Sequence, residues 1–247
     1  MQPGPGTIAL IGGEEFEPGF QEVHRSLLAE LGRPRPKVVF FPTAAAADGP
    51  GVASEWGRQC ERCLGVLGAQ VEVALVEDRA GAESPTIVRT VGEADLVYLG
   101  GGKPGYLLDV LGGSPTWAAI AAAYRRGAML VGASAGAMVL AEYMLYIRSD
   151  ADFPPRRWAQ GLDLIHGAAV APHLNRFSAP RLADIRRSLD SRITLIGIEE
   201  FTALVLANDA WEVRGSGCVR LQGPNGERWY RGGQRLEAPA GPTLRLP

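Results

Sequence analysis

Gly132-Ala133-Ser134-Ala135-Gly136 is a Gly-x-Ser-x-Gly run set between two apolar stretches, Ala128–Val131 before it and Ala137–Ala141 after it. Between a strand and a helix, such a run is a nucleophile elbow: the serine sits on a turn so tight that its hydroxyl projects clear of the sheet edge. Side chains beside the turn would collide with the neighbouring strand and helix. That accounts for glycine at 132 and 136 and alanine at 133 and 135. The helix starting behind Ser134 would aim unpaired N–H groups and the positive end of its dipole at the same place. A bare motif of this kind arises by chance, and its strand-and-helix setting is what marks it. The predicted chemistry is attack by the Ser134 hydroxyl on an acyl carbon.

A serine nucleophile needs a base, and the base needs a group to orient it. The chain has 3 histidines. His24 lies inside a helical stretch, and His166 sits beside a turn. His173 ends the apolar strand Ala168–His173, after Pro172, where sheets of this kind place their sites. His173 is therefore the expected base. The orienting acid is Glu199 or Glu200, at the end of the apolar strand Arg192–Ile198, where a carboxylate is costly unless it is used. Asp150 and Asp152 compete for the role. The oxyanion formed during acyl transfer needs two N–H donors. The residue after the nucleophile, Ala135, supplies one, and Gly100-Gly101-Gly102, where glycine lets the backbone approach substrate, supplies the other. The run Gly100–Gly105 lacks the spacing of a phosphate-binding loop and carries Pro104 where such a loop needs an N–H.

The elements that must hold these groups follow from apolar runs and their breaks. Strands are expected at Thr7–Gly13, Lys37–Pro42, Val71–Val76, Asp95–Leu99 and Ala128–Val131, with helices at Gly19–Leu31, Ala53–Leu67, Pro85–Val91, Tyr106–Leu111 and Thr116–Arg126 between them. This alternation predicts an α/β fold, a doubly wound, mostly parallel sheet with helices on both faces. Both Gly100–Gly105 and Ser134 then fall at the carboxyl ends of strands. From Trp211 onward, turn signals at Gly215-Ser-Gly, Pro224-Asn-Gly226 and Gly232-Gly predict antiparallel edge strands. The 247 residues read as a single domain, with 211–247 as a β-hairpin extension of it.

Composition narrows the classes. A formal charge of −2 gives no electrostatic footprint for nucleic acid. Of the 3 cysteines, Cys60 and Cys63 share a Cys-x-x-Cys spacing, but they lie in a helix with no second pair, so reduced structural thiols are expected. No apolar run approaches a membrane span, and Met1–Gly6 has neither the basic region nor the apolar core of a signal peptide. A cytoplasmic protein is expected, without metal or cofactor, with a homodimer left open.

Four motifs in order, Tyr98-Leu-Gly-Gly-Gly-Lys103, Gly132–Ala137, Pro172-His173 and Gly197-Ile-Glu-Glu-Phe-Thr-Ala203, resemble peptidase family S51. That family holds aspartyl dipeptidases (peptidase E) and cyanophycinases on a class I glutamine amidotransferase-like sheet. The resemblance runs from about Thr7 to Ala207. It implies Ser134 as nucleophile and His173 as base, with Gly101 or Gly102 and Ala135 around the oxyanion. The cyanophycinase branch places its acid where Glu200 stands. The dipeptidase branch resembles a different arrangement, whose acid corresponds to Asp152 in Ala151-Asp152-Phe-Pro154. The chain departs from the family at Gly102 and Lys103, where an Asp or Asn and a Gln are usual, and in the spacing of basic residues after His173. Lys103 and Arg176 still offer positive charge suited to an Asp side chain or a peptide carboxylate. The resemblance implies a serine exopeptidase with a small peptide substrate as partner and a preference for N-terminal Asp, the alternatives being a β-aspartyl peptide hydrolase or a non-catalytic binding module.

Overall fold

Four short runs, Ile8–Ile11 (β1), Lys37–Phe41 (β2), Leu96–Leu99 (β4) and Met129–Ala133 (β5), are almost wholly buried. In a strand, successive side chains face opposite sides. Ile8, Leu10, Val39, Phe41, Val97 and Leu99 accordingly join one apolar cluster, while Ala9, Ile11, Val38, Phe40, Leu96 and Tyr98 join another. A sheet covered on both faces must be built from continuous apolar runs of this sort. The computed structural model describes residues 5–149, 151, 157–207, 210–224, 226–236 and 243–244.

With Gln70–Val73 (β3), Thr202–Ala207 (β10) and Ala210–Gly215 (β11), these strands form a seven-stranded sheet in the order β11-β10-β1-β5-β4-β2-β3. The five strands from β1 to β3 run parallel, and β10 and β11 add an antiparallel edge. Helices Gln21–Glu30 (α1) and Val52–Gly65 (α2) cover one face through Val23, Leu27, Cys60 and Leu64. Pro85–Gly92 (α3), Pro104–Leu111 (α4), Pro115–Arg125 (α5) and Ala135–Leu140 (α6) cover the other through Val91, Leu107, Ile120 and Val139. The α/β architecture is as expected, mostly parallel with antiparallel C-terminal edges.

A second sheet was not legible in the sequence. Ala141–Leu145 (β6), Trp158–Gln160 (β7), Ile165–Ala171 (β8), Thr194–Ile198 (β9), Cys218–Gly223 (β12) and Gly226–Arg231 (β13) pair in the order β13-β12-β9-β8-β6-β7, with Thr243–Leu244 (β14) on β8. Its buried residues, among them Ala169, Leu195 and Leu221, join the cluster under α3 to α6. The C-terminal strands are therefore divided, β11 to the first sheet and β12–β13 to the second. The elbow helix also stops sooner than its apolar run suggests: α6 has six residues, and Ala141 already opens β6. Helix Ala179–Ser188 (α7) links β8 to β9. Among the described residues, no helix is long and apolar enough to cross a membrane.

Candidate active site

Ser134 stands between β5 and α6 with φ 49° and ψ −106°. Such a conformation costs a non-glycine residue on the order of 1–3 kcal/mol. The turn closes because its neighbours lack side chains. A Cβ on Gly132 would lie 2.6 Å from the Gly136 carbonyl, and one on Gly136 would lie 2.2 Å from the Leu99 oxygen. The Ser134 N–H is anchored to the Ile11 carbonyl at 2.9 Å, which ties the elbow to the end of β1.

His173 comes two residues after β8 and also has positive φ, 53°. Its N–H donates to the Gly12 carbonyl at 2.8 Å. Its ring lies against Gly13, where a Cβ would meet His173 Cε1 at 2.2 Å. Gly12 and Gly13 thus seat the histidine, a role the sequence reading missed although it marked β1 as ending in glycines. Ser134 Oγ lies 3.0 Å from His173 Nε2, and His173 Nδ1 lies 2.8 Å from Glu200 Oε1. An ionised carboxylate only accepts, so Nδ1 carries the hydrogen and Nε2 is left to accept from the serine.

Glu200 follows β9 and is 8% exposed. Its other oxygen accepts from Asn175 Nδ2 at 3.0 Å, and its backbone N–H donates to Asn175 Oδ1 at 3.0 Å. Burial pushes the Glu200 carboxyl up, but the hydrogen bonds from His173 and Asn175, with the Arg176 charge, bring it below the usual carboxylate range. Asn175 was not singled out from the sequence; the signal was a carboxamide two residues past the histidine. Glu199 points elsewhere and accepts from the Cys218 N–H at 2.8 Å. Asp150 and Asp152 lie outside the described residues. His24 is buried, 3.3 Å from Tyr98 Oη, and burial lowers its pKa to about 4. His166 lies near the opposite end of β8 from His173, between Asp163 and Glu142 at 3.0 Å each.

The other predicted residues divide. Ala135 is the first residue of α6, so its N–H has no acceptor within the helix. A Cβ on Gly101 would come within 3.5 Å of Ser134 Cβ, which puts that backbone beside Ser134. Gly102 has φ +129°, a conformation that suits glycine, and packs on the Ala44 carbonyl. Lys103 Nζ is 3.3 Å from Asp48. Arg176 donates to Glu14 at 2.6 Å and also pairs with Glu200. Glu14, His173 and Glu200 bring donor atoms within 4.8 Å of one another, as a metal site would, and the Arg176 guanidinium is the cation that pairs with both carboxylates. Cys60 and Cys63 are free thiols on α2, and burial pushes both above the usual thiol range, so they are poor nucleophiles.

Ser134 and His173 open into a cleft of about 380 Å³ whose wall carries Glu14, Glu15 and Glu17 with Phe16 and Trp56. Glu15 was not anticipated. It is 3% exposed, and burial pushes its carboxyl up to about 7, against the pull of its own backbone N–H and that of Gly101. A carboxyl that holds its proton more tightly when folded favours the native state below pH 4.5. That advantage is lost as pH rises through 7. Glu15→Gln removes the cost of charging the buried group. The stability of the variant relative to the parent is expected to grow by about 3 kcal/mol between pH 4 and pH 8, read from denaturant midpoints. A difference independent of pH would show that Glu15 is not held in its neutral form.

Sheet, elbow and hydrogen-bonded Ser–His–Glu line define the class, a serine-type hydrolase. The sequence model of peptidase family S51 matches residues 8–214, and the chain belongs to that family and is a peptidase. A peptidase from an acI-B1 Actinobacterium superposes with a TM-score of 0.84 and 30% identity, over 94% of this chain and 97% of that one. A Listeria monocytogenes EGD-e protein named for its likeness to peptidase E shares the fold at a TM-score of 0.63 and 20% identity, over 86% of this chain and 100% of that one. Among curated proteins, none matches the chain.

Proposed function

We propose that the chain is a serine exopeptidase that hydrolyses small peptides, with aspartyl dipeptides (Asp-X) preferred, through an acyl-enzyme on Ser134. The observation that carries this reading is the unbroken line from Ser134 Oγ to His173 at 3.0 Å and on to Glu200 at 2.8 Å. Ser134 attacks the scissile carbonyl while Nε2 of His173 takes its proton. The imidazolium then protonates the departing amine, and water, activated by the same nitrogen, releases the acid. Glu200 holds the tautomer and balances the transient positive charge. The N–H groups of Ala135 and of Gly101 or Gly102 receive the oxyanion. No step calls for a metal or cofactor. The free thiols of Cys60, Cys63 and Cys218 fit a cytoplasmic setting.

The size of the cleft suits a dipeptide better than an extended chain. Arg176, whose side chain is 63% exposed, is the cation offered to an Asp side chain. One observation favours a second reading: the wall of three glutamates suits a substrate that carries a cation, as a β-Asp-Arg dipeptide does. A panel of Asp-X, Glu-X, Ala-X and β-Asp-Arg separates the two. Cleavage of Asp-X at least tenfold faster than the rest is expected. Cleavage of β-Asp-Arg alone would move the assignment to the β-aspartyl class.

A further inference from the structure

Glu15 is the group in the cleft that the hydrolysis above leaves unused. Gly13 and Glu14, both with positive φ (130° and 59°), turn the chain sharply after β1, and the Glu15 side chain is buried. The side chain lines the same cleft as Gly101 and Ser134, and its Oε1 is buried with no hydrogen-bond partner among the described residues. Among the described residues, the titratable groups that act on it are Glu14, Cys60, Cys63 and Tyr98, none of which can carry positive charge. His24, hydrogen-bonded to Tyr98, is kept neutral by burial. The cations near the site are engaged elsewhere, Arg176 by Glu14 and Glu200 and Lys103 by Asp48. Burial of a carboxylate without a counter-charge is costly and is retained where a ligand makes use of it.

We infer that Glu15 is the anchor for the free α-ammonium group of the substrate, and so restricts the enzyme to unblocked N-termini. The inference rests on Ser134 being the nucleophile. The α-nitrogen of a peptide lies about 2.5 Å from the carbonyl carbon of its own residue. A serine poised to attack that carbon stands about 3 Å away from it. The ammonium must therefore sit within roughly 5 Å of Ser134 Oγ. The Glu15 carboxyl lines the same cleft as Ser134 and Gly101, and the Gly101 backbone flanks Ser134, so it is within reach of that point. The ammonium brings both the missing charge and a donor for the orphan oxygen. Phe16 and Trp56 on the same wall keep the pair in an apolar setting, where it is stronger than in water. An N-acetylated substrate can supply neither charge nor, at that nitrogen, more than a single donor.

The test compares the best dipeptide of the panel with its N-acetyl counterpart, in the parent and in Glu15→Gln. Labelling of Ser134 by a serine-reactive phosphonate reports on the nucleophile itself. The parent is expected to prefer the free amine by ten- to a hundredfold in kcat/KM, the worth of a hydrogen bond to a charged group. Glu15→Gln is expected to reduce that preference to within a few-fold, mainly through KM, while Ser134 is still labelled. Retention of the full preference by the variant overturns the inference, as does an equal loss on both substrates with slower labelling, which would make Glu15 a support for the Gly101 loop only. Failure of the parent to be labelled overturns the Ser134 reading, and the inference with it. Thermal melts of the variant at pH 8 separate loss of recognition from loss of fold.

Discussion

Ser134→Ala is expected to lower turnover of the best dipeptide by on the order of 10⁵- to 10⁶-fold while leaving the fold intact. Loss of Oγ removes the atom that forms the acyl bond, and a water placed beside His173 cannot be oriented as tightly. The His173–Glu200 hydrogen bond does not involve Ser134 and should persist. Nor is the turn relieved: alanine has the same difficulty at φ 49° as serine, and the close approach of Gly132 to Gly136 is unchanged. Stability should fall by no more than about 1 kcal/mol, one hydrogen bond's worth. Steady-state kinetics with a thermal melt on the same sample decides the matter. Turnover within a few-fold of the parent would exclude Ser134 as the nucleophile.

Glu200→Gln should cost about 10⁴-fold in kcat with little change in KM, because the carboxylate acts on the base and not on the ground-state substrate. Three donors converge on it: His173 Nδ1, Asn175 Nδ2 and the guanidinium of Arg176. An amide has one oxygen to offer, and its NH₂ must face one of these donors. The simplest relief is a histidine with its hydrogen on Nε2, which can no longer accept from Ser134. Asp152→Asn, prepared alongside, is expected to retain activity within a few-fold. Collapse of the Asp152 variant alone would transfer the acid role to that residue and leave Glu200 as a support for Arg176 and Asn175.

Much of the candidate site was legible because its determinants are local. The strand, the Gly-x-Ser-x-Gly turn and the helix start of residues 128–140 are neighbours in sequence, and Gly132 answers to a contact with Gly136, four residues on, although Gly136 itself packs on Leu99 of the neighbouring strand. His173 could be placed because an apolar strand ends there. The choice between Glu199 and Glu200 could not be made from the residues, although the family resemblance pointed to Glu200. Adjacent residues leaving a strand face opposite ways, and which one meets His173 depends on how β9 pairs with β8 and β12 in a sheet that no local pattern announced.

The same limit governs the charges. Arg176 reads as a free cation three residues past the base, but its partner Glu14 is 162 residues away in the chain. Glu14-Glu15-Phe16-Glu17 has no feature in sequence that marks one glutamate off from the others. Packing of Phe16 on Phe40, Trp56 and Tyr98, with ring centroids 5.6 to 6.1 Å apart, carries Glu15 in with it. By itself the sequence determined the alternation of strands and helices, the strained serine turn and the strand end that carries His173, since propensity, turn sterics and strand ends act over a few residues. Only the tertiary structure decided which carboxylate lies against His173 and which one lies buried in the cleft, because burial and ion pairing depend on contacts between segments far apart in the chain.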